Sequence, residues 1–197
     1  MIIALRGPMS IRNVKKLHAG RVVVYTDDKA PNASSDGSPM PLTYEIIEKL
    51  EAAIPGYNVR ALTLADFEAL CDRDGVVAFE HRMPARGWYF VKEGVPFIVI
   101  NKKLSAGHRA FVGFHEYFHH RFHPGGHHHY TTIGIRDRIE REASTMAAVA
   151  VIPTASLEKD LAEGVSIEEK YDIPKYLAEF RMRVYGEYRQ IRMFQDV

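Results

Sequence analysis

The chain is almost without cysteine, with Cys71 the only one in 197 residues. A single thiol excludes an intrachain disulfide and any cysteine-built metal cluster, and it fits a reducing compartment. Cys71 follows Leu64, Phe67 and Leu70 at helical spacing, the setting of a buried core thiol rather than a nucleophile. No apolar run approaches the length of a membrane span. The opening MIIALRGPM is too short for a secretory apolar segment with its flanks. Neither sign of charge is in excess, because 26 Lys and Arg stand against 25 Asp and Glu for a net charge of +1. The basic footprint of a nucleic-acid binder is therefore missing. These absences predict a cytoplasmic protein without membrane contact or direct nucleic-acid binding. Internal repeats and extended low-complexity tracts are missing too.

What the chain does have is an ordinary globular composition, 46% hydrophobic and 26% charged, at a length suited to one domain with a small appendage. Residues 1–41 read as an N-terminal arm. Within it, RVVVYT at 21–26 suggests a short strand, and Arg12, Lys15 and Lys16 form a solvated basic face. The stretch 27–41 is rich in Asp, Ser, Pro and Gly and reads as a flexible linker. The core is expected over 42–153, with a C-terminal helical extension over 154–197 packed against it.

Thr43 can cap a first helix carrying Ile46, Ile47, Leu50 and Ile54 on one face and stopped by Pro55-Gly56. A second helix is expected from Thr63 to Asp72, capped by Thr63 with Asp66 at its third position. Strands are expected at 75–79, 87–91 and 95–101, the last two joined by a hairpin turn at Lys92-Glu93-Gly94. Further helices fit residues 106–122, 136–151, 154–163 and 173–191. The fold class this predicts is α+β, with a small sheet packed on the 106–122 helix and helices after it.

The 106–122 helix carries His115-Glu116-Tyr117-Phe118-His119, an H-E-x-x-H motif. Residues four apart share a helix face, so both imidazoles converge on one point, as half of a zinc site requires. Glu116 lies about 100° further round, placed to act as base on a metal-activated water. Phe111, Phe114, Phe118 and Phe122 form an apolar stripe that holds the helix in the core, with the histidines at its edge. A third ligand is expected from another helix, where Glu140 and Glu142 precede the small residues Ala143, Ala147 and Ala150. Small residues let two helices approach closely. The face shared with Ala143 and Met146 favours Glu142, and Glu140 is expected to turn away. His115, His119 and Glu142 with an open position form a catalytic rather than a structural zinc pattern. The strand at 96–101 is a candidate for pairing with an extended substrate.

With these residues in place the chain resembles the ImmA/IrrE family of metallopeptidases. The resemblance rests on the H-E-x-x-H helix, the Glu-Ala-x-x-hydrophobic-Ala-Ala run ending at Pro153, the preceding strand 97–101, and the segment Tyr171-Asp172-Ile173-Pro174 with Ala178 and Arg181. It covers roughly residues 60–187. It implies a compact zincin-like fold, Zn²⁺ held by His115, His119 and Glu142, and Glu116 as general base. Family members cleave helix-turn-helix repressors, and others accompany toxin–antitoxin-like partners, so a repressor or an antitoxin is the implied partner. The chain departs from the family pattern at Phe118, where Gly is frequent, at Ser144, where Asn is, and at Met146, where Phe is. These departures are expected to alter cleft packing without touching a ligand.

The histidines at 120, 123 and 127–129 read as a solvated loop after the helix, with substrate contact, extra metal capture or a pH-sensitive lid as the functional alternatives. Tyr130 is a candidate oxyanion or substrate contact. Trp88 and Tyr89 read as core rather than as a substrate platform. On the last helix Leu177, Phe180, Val184, Tyr188 and Ile191 form the packed face, with Arg181, Arg183 and Arg189 among the polar positions. Two rival readings stand beside the peptidase. One is a non-catalytic metal-binding regulator or toxin–antitoxin-like partner. In the other the motif is accidental and the chain is a small DNA-binding or scaffold protein.

Overall fold

The computed structural model describes residues 44–123 and 133–195. The arm expected over 1–41, the Thr43 cap, the histidines at 127–129 and Tyr130 lie outside the described residues.

Helix α1 (Tyr44–Ala53) buries Ile46 and Leu50, as their spacing predicts, and gives way to Gly56 at φ +73°. Helix α2 (Leu64–Asp74) opens on the expected Thr63, whose backbone N–H and hydroxyl both donate to the Asp66 carboxylate at 2.7 and 2.8 Å. It closes on Gly75 in the left-handed region, where a residue without Cβ is favoured. Strands β1 (Val77–His81), β2 (Gly87–Lys92) and β3 (Val95–Asn101) follow. Glu93 and Gly94 both have positive φ, the geometry of the tight turn that joins β2 to β3.

The sheet order is β1-β3-β2, with β3 parallel to β1 and antiparallel to β2. This corrects one expectation. The strand at 95–101 is central, and both of its edges are consumed by neighbours. Free edges among the described strands belong to β1 and β2. The β2–β3 hairpin is a local signal, whereas the parallel β1–β3 pairing arises from residues twenty positions apart (Val77 opposite Phe97) and leaves no local mark.

Helix α3 (Ala106–Phe122) packs on the inner face of the sheet against the buried Ile98 and Ile100. Of its phenylalanine stripe, Phe114 and Phe118 are fully buried and Phe111 and Phe122 partly so, with Phe114–Phe118 and Phe118–Phe122 ring centroids 6.2 Å apart. Helix α4 (Ile133–Val151) lies beside α3, and α5 (Thr154–Ala162), α6 (Ile167–Tyr171) and α7 (Lys175–Gln195) complete the chain. The short α6 is additional to the helices expected from sequence. One hydrophobic cluster runs through all of this, from Ile46 on α1 to Val184 on α7. The molecule is α+β, a small mixed sheet with helices. None of the described helices is long and apolar enough to cross a membrane.

Arg181 departs from expectation. It is 1% exposed, and its guanidinium donates from Nε to the Ile152 carbonyl at 2.8 Å and from a terminal nitrogen to Thr154 Oγ1 at 3.0 Å. Burial lowers its pKa to about 10. A cation at the end of α4 meets carbonyls that the helix leaves unsatisfied. A charged residue beside an apolar face is therefore an internal clamp here, not part of the solvated surface.

Candidate metal centre

The motif helix is held at three places. At its N-terminus, Ala106 N–H donates to Asp172 Oδ2 at 2.8 Å, and the Ser105 hydroxyl donates to the Asp172 carbonyl. Asp172 itself has φ +50° at the end of α6. Gly107 sits so close to this junction that a Cβ there would lie 1.7 Å from the Tyr171 carbonyl oxygen. In mid-helix, Tyr117 is fully buried and donates to Asp74 at 2.6 Å, while Arg73 donates to the Tyr117 hydroxyl at 3.0 Å. On the sheet side β2 presses against the helix at Gly87, where a Cβ would lie 2.4 Å from Val112 Cγ1 and 3.0 Å from Glu116 Oε1.

Held in this way, His115 and His119 bring their Nε2 atoms to 3.0 Å from each other. Glu140 on α4 places Oε2 at 3.4 Å from the first Nε2 and 3.5 Å from the second. These three residues form the group whose ligand atoms lie within 4.8 Å of one another, the spacing a metal ion needs. Ser144, one turn after Glu140, lies with Oγ 3.2 Å from His115 Nδ1. A hydroxyl accepting the Nδ1 proton leaves Nε2 with a lone pair facing the cluster. Two lone-pair nitrogens and a carboxylate oxygen around one point fit a divalent metal. Burial opposes protonation of His115, but the Glu140 carboxylate outweighs it and raises the imidazole pKa. The same negative potential favours a bound cation. Glu116 is 8% exposed and follows His115 directly, with Oε1 3.0 Å from where a Cβ on Gly87 would stand.

Glu142 stands elsewhere. Its Oε1 is paired with Lys49 of α1, and its Oε2 lies 3.8 Å from His123 Nε2. His123 and Lys49 hold its carboxyl at about 2, against the opposing effect of burial. The structure thus brings Glu140, not the expected Glu142, to the histidine pair. The physical reason is the breadth of the buried surface on α4. Every residue from Ala143 to Ile152 is buried, so the apolar pattern marks no single face and gives no helical phase. Spacing supplies the missing phase, because Glu140 and Ser144 are four apart, like His115 and His119.

His123 also departs from the solvated-loop reading. It is 6% exposed, and its Nδ1 lies 3.1 Å from His119 Nδ1. His115, His119 and His123 step along α3 in fours, a signal present in the sequence. His120 faces the sheet, with Nδ1 3.1 Å from the Tyr89 hydroxyl. Trp88 and Tyr89 are half-buried. Ser144 was expected to leave the ligands alone and instead touches one. Cys71 is buried as expected, and burial pushes its thiol up to about 12.

Residues 71–184 match the family model for the IrrE N-terminal-like domain, peptidase family M78. The chain belongs to this family. The match contains the whole histidine–glutamate cluster and Glu116, and it begins after α1. Membership in this family carries metallopeptidase activity with it, and the cluster supplies a place for the metal. Comparison with curated proteins and with solved structures gives no match.

Proposed function

We propose that this IrrE N-terminal-like domain is a zinc-dependent endopeptidase whose metal is held by His115, His119 and Glu140. The observation that carries the reading is the convergence of both Nε2 atoms and Glu140 Oε2 within 3.5 Å, with Glu116 the residue next to His115 on the same helix. Two imidazoles and one carboxylate, with a fourth position for water, are a ligand set of catalytic zinc sites. Bound there, the metal supplies the Lewis acidity that makes water a nucleophile near neutral pH.

The remaining chemistry falls to the chain. Glu116 takes a proton from the attacking water as the water oxygen bonds to the peptide carbon. It then delivers that proton to the amide nitrogen as the C–N bond breaks. Gly87 keeps β2 close, so that the free edge of this strand starts beside Glu116. An extended substrate pairing with that edge would run its backbone past the carboxylate. The free-edge role passes from β3 to β2. The resemblance to ImmA/IrrE peptidases supports a helix-turn-helix repressor or an antitoxin as substrate, in the cytoplasm.

Glu116→Gln is the direct test. The variant keeps its metal stoichiometry and loses cleavage of a helix-turn-helix protein encoded beside it by roughly 100- to 10,000-fold. Wild-type cleavage by Glu116→Gln overturns the assignment of the base.

A further inference from the structure

A chain of polar contacts leads away from the candidate metal centre through His119. It starts at His119, whose Nε2 faces the cluster and whose Nδ1 lies 3.1 Å from His123 Nδ1. His123 is the residue that ends α3, where its backbone N–H donates to the His119 carbonyl at 3.1 Å. Its other ring nitrogen is buried, accepts or donates no hydrogen bond among the described residues, and lies 3.8 Å from Glu142 Oε2, an ion-pair separation rather than a hydrogen bond. Glu142 Oε1 is paired with Lys49 of α1. Four side chains from three helices thus form one line.

The proton arrangement along that line has a direction. A histidine that ligates through Nε2 must carry its proton on Nδ1. His119 then donates to His123 Nδ1, which leaves the His123 proton on Nε2, facing the Glu142 carboxylate. Lys49 holds that carboxylate in place. Metal-ligating histidines commonly donate their second nitrogen directly to a carboxylate. In this protein an imidazole is inserted between the two.

We infer that His123, Glu142 and Lys49 are positioning residues that fix the tautomer and ring orientation of His119 for metal binding. The inference rests on the metal-site reading above. It also gives α1 a role in a site otherwise built within residues 71–184, because Lys49 precedes the stretch matched to the family.

The test is Zn²⁺ affinity, measured by chelator competition on the full chain, with unfolding of the metal-free protein followed in parallel. Glu142→Gln lowers the affinity by roughly 10-fold, and His123→Leu by up to roughly 100-fold. His123→Gln, whose amide oxygen can accept from His119, restores most of the loss. Glu142→Gln made in the His123→Leu background causes no further loss, because Glu142 acts only through His123. In the metal-free wild type, imidazole ¹⁵N shifts place the His119 proton on Nδ1, and in metal-free His123→Leu the two tautomers mix. Zn²⁺ affinities within twofold of wild type in both single variants overturn the inference. So do additive losses in the double variant. Should His123→Leu weaken the fold, the near-isosteric Glu142→Gln and the ¹⁵N shifts of the wild type still decide. The Glu140→Ala variant separates the two readings. Tight Zn²⁺ binding by Glu140→Ala, or none by wild type, removes the metal site itself. Loss in Glu140→Ala with no change in Glu142→Gln removes only the positioning role.

Discussion

Glu140 and Ser144 grip the two nitrogens of one imidazole from successive turns of α4. Glu140 Oε2 lies 3.4 Å from His115 Nε2, and Ser144 Oγ lies 3.2 Å from His115 Nδ1. One side chain stands where a metal would be shared, and the other sets the tautomer that lets the nitrogen share it. The two therefore differ in what their loss does. Glu140→Ala abolishes stoichiometric metal binding, whereas Ser144→Ala retains it with affinity lowered by roughly 10-fold. Metal analysis after gel filtration, with chelator competition, distinguishes the two.

Gly87 has no room for a side chain. A Cβ would meet Val112 and Glu116 at 2.4 and 3.0 Å, so Gly87→Ala must move β2, the helix or the carboxylate. Overpacking of this kind costs about 1–3 kcal/mol. The expected result is a lower urea midpoint together with reduced peptide cleavage, at unchanged metal stoichiometry. Full activity at wild-type stability would show that the strand does not set the position of Glu116.

Gly107 faces a harder obstacle, because the atom 1.7 Å from its would-be Cβ is a backbone carbonyl. No rotamer change relieves that contact. Gly107→Ala should destabilise the protein by about 3 kcal/mol or more, beyond the few tenths that alanine gains in helix propensity. Urea unfolding of the metal-free protein measures it directly.

His108 makes stability depend on pH. Its ring is 8% exposed and hydrogen-bonded to the Tyr176 hydroxyl at 2.9 Å. Burial, aided by the nearby Arg86 cation, lowers its pKa from 6.5 to about 4. The unfolded chain takes up this proton near pH 6.5, and the folded chain does so only near pH 4. The neutral ring thus contributes fully above pH 6.5, and the contribution is lost as pH falls toward 4. The loss is at most about 3 kcal/mol, from ~1.4 kcal/mol per unit. In His108→Gln the fall in unfolding free energy between pH 7 and pH 4.5 becomes shallower by a comparable amount. An identical slope in both proteins rules out His108 as its source.

Local chemistry made much of this legible in the sequence. The Thr63–Asp66 box, the Gly94 turn and the phenylalanine stripe on α3 each depend on neighbours a few residues away, and each stands where the pattern put it. The histidine pair was legible for the same reason, since four-residue spacing on a helix fixes relative direction. What escaped depends on distant packing. The phase of α4 is hidden because its second half is buried all round. The central place of β3 requires a parallel partner that no turn announces. Arg181 reads as surface from its charge, and only the end of α4 above it explains its burial. His123 lay within reach of the same spacing rule that found His115 and His119, but its surroundings of glycine and histidine suggested a loop.

The Asp172 contact with the first turn of α3 carries a lesson about how much chain the site needs. The residues grouped around the candidate metal end at Ser144 in sequence. The helix that presents the histidines nevertheless takes its N-terminal hydrogen-bond acceptor from a residue 66 positions further on. Arg181, later still, closes the end of the helix that presents Glu140. A fragment cut just after α4 would retain every donor atom of the cluster and lose the two fixtures that aim them. In this protein the smallest piece that can work as a unit is set by its clamps, not by its ligands.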